Sequence, residues 1–256
     1  MYAILVDASK CTGCEKCVDA CIETNGLNEK KAEIDKAVTK DGLSDNRFLS
    51  VNEIKKDSFA RKSCMHCVEP SCVSACLVGG LTKSKEGPVL YDPDKCIGCR
   101  YCMLSCPFYI PRYEWSKTQP FVKKCDMCYD RIKEGKLPAC VDACPYGVLE
   151  FGEREELLKK AKRKIQQDPK YVNRVWGEKE LGGTSVLFIS DFDVSQVGFP
   201  QQASVAIPEL TEPLIEKTPQ IGLGVLGGLL GLNWIIRRRE KLSKENQENS
   251  KNKNEE

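Results

Sequence analysis

Sixteen cysteines fall into four groups of four, and none is left over. Cys11, Cys14, Cys17 and Cys21 have the spacing C-x2-C-x2-C-x3-C. Cys96, Cys99, Cys102 and Cys106 repeat it and are followed by Pro107. Cys64, Cys67, Cys72 and Cys76 read C-x2-C-x4-C-x3-C, and Cys125, Cys128, Cys140 and Cys144 read C-x2-C-x11-C-x3-C before Pro145. Thiolate sulfur holds iron–sulfur clusters, and C-x2-C-x2-C-x3-C-P is the bacterial ferredoxin run. At four ligands each, the sixteen thiolates predict four [4Fe–4S] clusters.

The other chemistries of cysteine fit less well. Disulfide frameworks serve small secreted domains that cannot build a core, whereas 256 residues suffice for one. A zinc ribbon separates its two CxxC knuckles by a long loop; two of these motifs place four cysteines within eleven residues. A tight C-x2-C-x2-C run wraps one face of a cluster, and the fourth cysteine is placed to reach a neighbouring one. The motifs must therefore pair. Cys76 to Cys96 is twenty positions and Cys106 to Cys125 is nineteen. Spacing thus leaves two solutions open, second with third and first with fourth, or sequential pairing.

Charge excludes one class of partner. The formal net charge is +2 with every cysteine counted neutral. An oxidised cluster with its four thiolates is 2−, so four of them bring the loaded protein to about −6. Nucleic-acid binding has little electrostatic support at that charge. With 41% hydrophobic and 30% charged residues the balance is that of an ordinary globular chain. Clusters need reduced thiols for assembly, which points to the cytoplasm for loading.

Periodicity outlines the elements between the motifs. Residues 2–7 predict a strand into the first motif, without the basic start and apolar run of a signal peptide. Residues 22–63 read as a charged insertion with a strand near Phe48–Ile54. Further strands are predicted at Val89–Tyr91, Val148–Phe151 and Thr184–Ile189. Arg154–Gln167 predicts a helix with Leu157, Leu158, Ala161 and Ile165 on one face and a solvated basic face opposite. Ser190–Lys217, with Pro200, Pro208 and Pro213, reads as an extended arm.

Thr218–Ile236 then carries no charged residue for nineteen positions. As a helix it spans about 28 Å, close to the roughly 30 Å hydrocarbon core of a bilayer. Thr218 suits the cap and Pro219 the first turn. Trp234 and Arg237, Arg238 and Arg239 suit the interface, and a polar tail, 237–256, follows. A single membrane span is expected. Gly222-x-Gly224-x-x-Gly227 matches GxGxxG only by letter, because no strand precedes it. Gly224/Gly228 and Gly227/Gly231 are instead GxxxG pairs that admit a second membrane helix. Glu209, Glu212 and Glu216 precede the span and the arginines follow it, which predicts a cytoplasmic tail and an extracytoplasmic cluster domain. Export in the folded state alongside a signal-bearing partner reconciles that topology with the missing signal.

No catalytic constellation is legible. His66, the single histidine, lies inside the second motif, where it is either a tuner of a cluster, a neighbour of a partner's cofactor or a polar filler of the turn. Arg100, Lys123 and Lys124 flank ligands and are candidates to offset cluster charge.

The runs LVDASKCTGCEKCVDAC, CMHCVEPSCVSAC, DKCIGCRYCMLSCPFYIPRY and KCDMCYDRIKEGKLPACVDACP resemble the four-cluster iron–sulfur (beta) subunits of the DMSO-reductase type. With GGTSVLFISDFDVSQVGFP, the proline-bearing arm and the C-terminal helix, the resemblance narrows. It extends to beta subunits of membrane-bound formate dehydrogenases and to the electron-transfer subunit of periplasmic nickel–iron hydrogenases. It implies nested pairing. Cys11, Cys14, Cys17 and Cys144 would hold one cluster, and Cys21, Cys125, Cys128 and Cys140 the next. Cys64, Cys67, Cys72 and Cys106 would hold a third, and Cys76, Cys96, Cys99 and Cys102 a fourth. Leu77 departs from the proline usual after the last cysteine of the second motif.

The resulting expectation is an α+β chain of two bacterial-ferredoxin-like two-cluster modules plus one C-terminal transmembrane helix. Residues 1–63 and 107–152 form the first module, 64–106 the second, and 153–217 a helix, strand and arm. Its expected role is a non-catalytic relay between a molybdopterin or nickel–iron catalytic subunit and a membrane cytochrome b or other quinone-reactive subunit. A soluble polyferredoxin is the alternative, and a zinc-binding scaffold a third.

Overall fold

The strand Tyr2–Asp7 (β1) organises the fold because both of its faces are buried. In the computed structural model, which describes residues 1–28, 30, 39–118, 120–195 and 205–252, it is the middle strand of a three-stranded sheet. Leu149–Glu153 (β8) pairs with it antiparallel and Val186–Ile189 (β9) parallel, with Ile4 opposite Phe151 and Val186. Side chains alternate across a strand. Ala3 and Leu5, with Leu187 and Ile189 of β9, face Leu157, Leu158 and Ala161 of the helix Arg154–Gln167 (α6). Ile4 and Val6, with Val186 and Phe188, face the core that contains the cysteines. Two covered faces are why both strands read as unbroken apolar runs.

The other elements are short and carry the motifs. They are the helices Lys16–Thr24 (α1), Ser71–Ser74 (α2), Tyr101–Ser105 (α3), Tyr129–Lys133 (α4) and Ala139–Asp142 (α5). Between them lie the two-stranded ladders Ser50–Lys55 (β2) with Ser58–Lys62 (β3), Leu81–Lys83 (β4) with Val89–Tyr91 (β5), and Arg112–Tyr113 (β6) with Val122–Lys123 (β7). α1 packs on α5, and α2 packs on α3. Both pairs lie within one compact unit, Met1–Pro208.

Several expectations need correction. Residues 22–24 belong to α1, and the charged segment 22–63, expected to hold one strand near Phe48–Ile54, holds two, the β2–β3 hairpin, with Leu43, Leu49 and Ala60 in the core. The basic face of α6 is partly paired: Lys164 meets Glu150 at 2.8 Å and Lys162 meets Glu178 at 2.5 Å. Residues 207–217, read as an extended arm, are helical, since one helix, Ile207–Asn252 (α7), takes in the span and the described tail. Pro213 and Pro219 both lie inside it, so Thr218 caps no helix start. Each proline removes one ladder hydrogen bond and crowds the carbonyl four residues before it, and the helix formers around both carry α7 through. The end of the arm motif (196–200, with Pro200), part of the insertion (29, 31–38) and the last residues of the tail (253–256) lie outside the described residues.

The second unit begins at Glu209, and its described residues, to Asn252, belong to α7. Ile207–Lys244 is long and apolar enough to cross a membrane, and its apolar window is wholly exposed. Gly222, Gly224 and Gly227 lie inside continuous helix rather than at a strand-to-helix turn, which removes the GxGxxG reading. A Cβ added at Gly222, Gly224, Gly227, Gly228 or Gly231 would meet nothing within 4 Å.

Candidate iron–sulfur sites

The four CxxC segments share one backbone turn. The second intervening residue has positive φ in every case: 73° at Gly13, 46° at His66, 71° at Gly98 and 62° at Met127. That reversal brings its N–H back to the first sulfur. Met127 N–H donates to Cys125 Sγ at 3.2 Å, and Gly98 N–H to Cys96 Sγ at 3.4 Å. Glycine is needed in two of the turns for room as well as conformation. A Cβ at Gly13 would meet the Phe59 ring at 2.8 Å, and one at Gly98 the Tyr113 hydroxyl at 2.8 Å. His66 and Met127 adopt the same region with side chains, a strain of about 1 kcal/mol each. Burial of Met127 and a bond from Val89 N–H to His66 Nδ1 at 2.9 Å hold them there.

Helices follow at once and carry further sulfurs. α1 begins after Glu15 (φ 57°) and holds Cys17 and Cys21; α3 begins after Arg100 (φ 64°) and holds Cys102. Cys72 lies on α2 and Cys76 two residues past its end. Cys140 lies on α5 and Cys144 two residues past it. The packing of α1 on α5 brings the first motif to the fourth, and that of α2 on α3 brings the second to the third.

All sixteen cysteines are free of disulfides. A pocket is walled by Cys11, Cys14, Cys17 and Cys144, with Val51, Phe59 and Arg61. Burial pushes the Cys17 thiol up to about 12, and Cys140, Cys11 and Cys144 add to it. Burial raises Cys21, with Cys140 and Cys128 adding, and raises Cys125 well above the usual range, with Cys21, Cys64 and Cys140 adding. Cys67 is likewise raised well above it by burial, then by Cys64, Cys106 and Cys72. Cys102 rises to about 11 through burial, then Cys76, Cys96 and Cys99. Thiols this hard to ionise become thiolates only against a bound cation, so the donor set fits an iron–sulfur group. Among the described residues no three His, Cys, Asp or Glu side chains close on a single-ion site.

The remaining sequence candidates separate. His66 is 1% exposed, so it does not reach a partner's cofactor. Burial, then Lys124, Lys83 and Arg61, hold it well below the usual imidazole range, and it ties the second motif to β5 as a neutral acceptor. Arg100 stacks on Tyr113 and Trp115, 4.9 and 4.6 Å from the ring centres, and Lys123 pairs with Glu114 at 3.8 Å. Lys124 is buried, donates to the Cys125 carbonyl at 2.9 Å, and lowers Cys72 against the dominant effect of burial. Leu77 is exposed, so the missing proline removes no packing there. Sequence reasoning overlooked Arg61, which is buried among the sulfurs. An arginine inside a charged stretch reads as solvated surface, and only the pairing of β3 turns it inward.

Sulfur-lined turns of this kind define a ferredoxin-type 4Fe–4S protein. Comparison with known proteins agrees: the profile of the 4Fe-4S dicluster domain matches residues 56–154, and that of a 4Fe-4S binding domain residues 8–21. The protein is 33% identical to the hydrogenase-2 operon protein HybA of Escherichia coli O157:H7 over 93% of its own length and 84% of that protein. It is 39% identical to the B subunit of the anaerobic dimethyl sulfoxide reductase of Escherichia coli K12, over 62% of its length and 77% of that subunit. It is 33% identical to the formate dehydrogenase iron-sulfur subunit of Haemophilus influenzae, over 73% of its length and 64% of that subunit. The chain belongs to the family of DMSO-reductase-type iron–sulfur subunits, the electron-transfer subunits of oxidoreductase complexes.

Proposed function

We propose that this chain holds four [4Fe–4S] clusters and relays electrons between a catalytic subunit of hydrogenase or formate dehydrogenase type and a membrane cytochrome b or quinone site. The observation that supports the reading most is that Cys144 of the last motif lines one pocket with Cys11, Cys14 and Cys17 of the first. The ligand sets are Cys11, Cys14, Cys17 and Cys144; Cys21, Cys125, Cys128 and Cys140; Cys64, Cys67, Cys72 and Cys106; and Cys76, Cys96, Cys99 and Cys102. α1 on α5 and α2 on α3 support a division into two ferredoxin-like modules. When bound, each cluster takes up and releases one electron. The chain's own part is to fix the spacing, keep water from the buried sulfurs and supply N–H groups to them. Substrate chemistry belongs to the catalytic partner.

Membrane attachment is the second half of the proposal. α7 supplies the span, and the arginines at 237–239 favour a cytoplasmic tail with the cluster-bearing unit outside. In the native complex, deleting residues 218–256 should leave reduction of a soluble dye by the catalytic subunit within about twofold of normal. Quinone reduction should fall by at least about tenfold, because the only described segment able to span is gone. Unchanged quinone reduction would remove the membrane role and favour a soluble carrier.

A further inference from the structure

We infer that Arg61 is a positioning residue that raises the reduction potentials of two neighbouring clusters, by holding a permanent positive charge between the Cys11/Cys14/Cys17/Cys144 and Cys21/Cys125/Cys128/Cys140 sets. The inference rests on the ligand sets proposed above. Arg61 lies on β3 opposite Val51 of β2 and is 3% exposed. Its side chain lines the pocket walled by Cys11, Cys14, Cys17 and Cys144. Its far end reaches the other set, with Nη1 3.7 Å from Cys140 Sγ, while Nη2 donates to Ser63 Oγ at 2.8 Å. Nε makes no hydrogen bond, and among the described residues no carboxylate pairs with the guanidinium.

An unpaired buried guanidinium is strongly unfavourable unless an anion sits beside it. Ser63 is neutral, and the groups in reach are sulfurs. The cation therefore gains its counter-charge only when the thiolates are formed. Arginine does not lose its proton in a protein, so its charge is fixed while the clusters change theirs. A cluster with four thiolates goes from 2− to 3− on reduction, and a fixed cation beside it favours the more negative state. The low effective dielectric of a buried site enlarges that preference. The Cys76/Cys96/Cys99/Cys102 set belongs to the second and third motifs, and none of its sulfurs lines the pocket that Arg61 enters. It provides an internal reference.

The test is an anaerobic redox titration of the full-length protein, followed by EPR, for the wild type, Arg61→Met and Arg61→Lys. Wild-type iron content and the number of cluster signals report on the ligand sets by themselves. With those in place, Arg61→Met should shift the reduction equilibrium of both neighbouring clusters at least about tenfold toward the oxidised state, which is about 59 mV for one electron. The reference cluster should not move, and Arg61→Lys should lie near the wild type. Full iron loading in Arg61→Met with every potential unmoved would overturn the inference. Where Arg61→Met fails to load the two sites, Arg61→Lys decides: recovery of both clusters supports the role of the charge, and continued loss overturns it.

Discussion

Cys144→Ser should cost the protein about a quarter of its iron, the cluster built on Cys11, Cys14 and Cys17, and leave the other three in place. Cys144 lines the same pocket as those three sulfurs, and burial followed by Cys14 and Cys144 raises Cys11. The cause lies in packing: α5 rests on α1, which carries the last motif back to the first across more than a hundred residues of sequence. Serine offers a harder and far less acidic ligand in a pocket where even a thiol ionises with difficulty. EPR of the reduced variant reads the result. A disturbed Cys96, Cys99 and Cys102 cluster with an intact first cluster would instead mean sequential pairing of the motifs.

Removing the clusters with oxidant and chelator should unfold most of Met1–Pro208 and spare one corner. α2 and α5 have four residues each, α3 and α4 five, and β6 and β7 two. Elements of that length have no stability of their own. Cys21, Cys64, Cys106 and Cys140 are members of the main core, so empty sites leave that core with buried thiols around a void. Ligand binding to the native state alone is folding free energy, and in small metal-bound domains it is the larger part. The packing of α6 on β1 and β9 involves Ala3, Leu5, Leu157, Leu158, Ala161, Val175, Leu187 and Ile189, and no cysteine. Amide exchange should accelerate by about a thousandfold or more in α1 to α5, and far less in β1, β9 and α6. Uniform protection throughout the cluster-free chain would show that the fold does not depend on its clusters.

The sequence was most legible where periodicity had one cause. β1 lies where its unbroken apolar run puts it, buried on both faces, and α6 where the 3.6-residue repeat of a one-sided helix puts it. Cysteine spacing identified every candidate ligand, since nothing else in the chain competes for that pattern. What stayed hidden came from contacts distant in sequence. Spacing alone left the pairing of the motifs open, and packing of α1 on α5 bears on it. Half of the β2–β3 hairpin went unseen because Ser58–Lys62 mixes charge with apolar residues, and the same mixture hid Arg61. Pro213 and Pro219 argued for an arm and a helix start where the helix runs on through both. Of the three roles open to His66, its burial and its bond from Val89 N–H fit the polar filler of the turn, a contact that no local pattern foretells.

Metal analysis of the full-length protein, purified without oxygen, tests the central claim most directly. Four clusters on sixteen thiolates require about sixteen iron and about sixteen acid-labile sulfide per chain, with Mössbauer signals of [4Fe–4S] centres alone. Stoichiometric zinc with little labile sulfide would contradict the account.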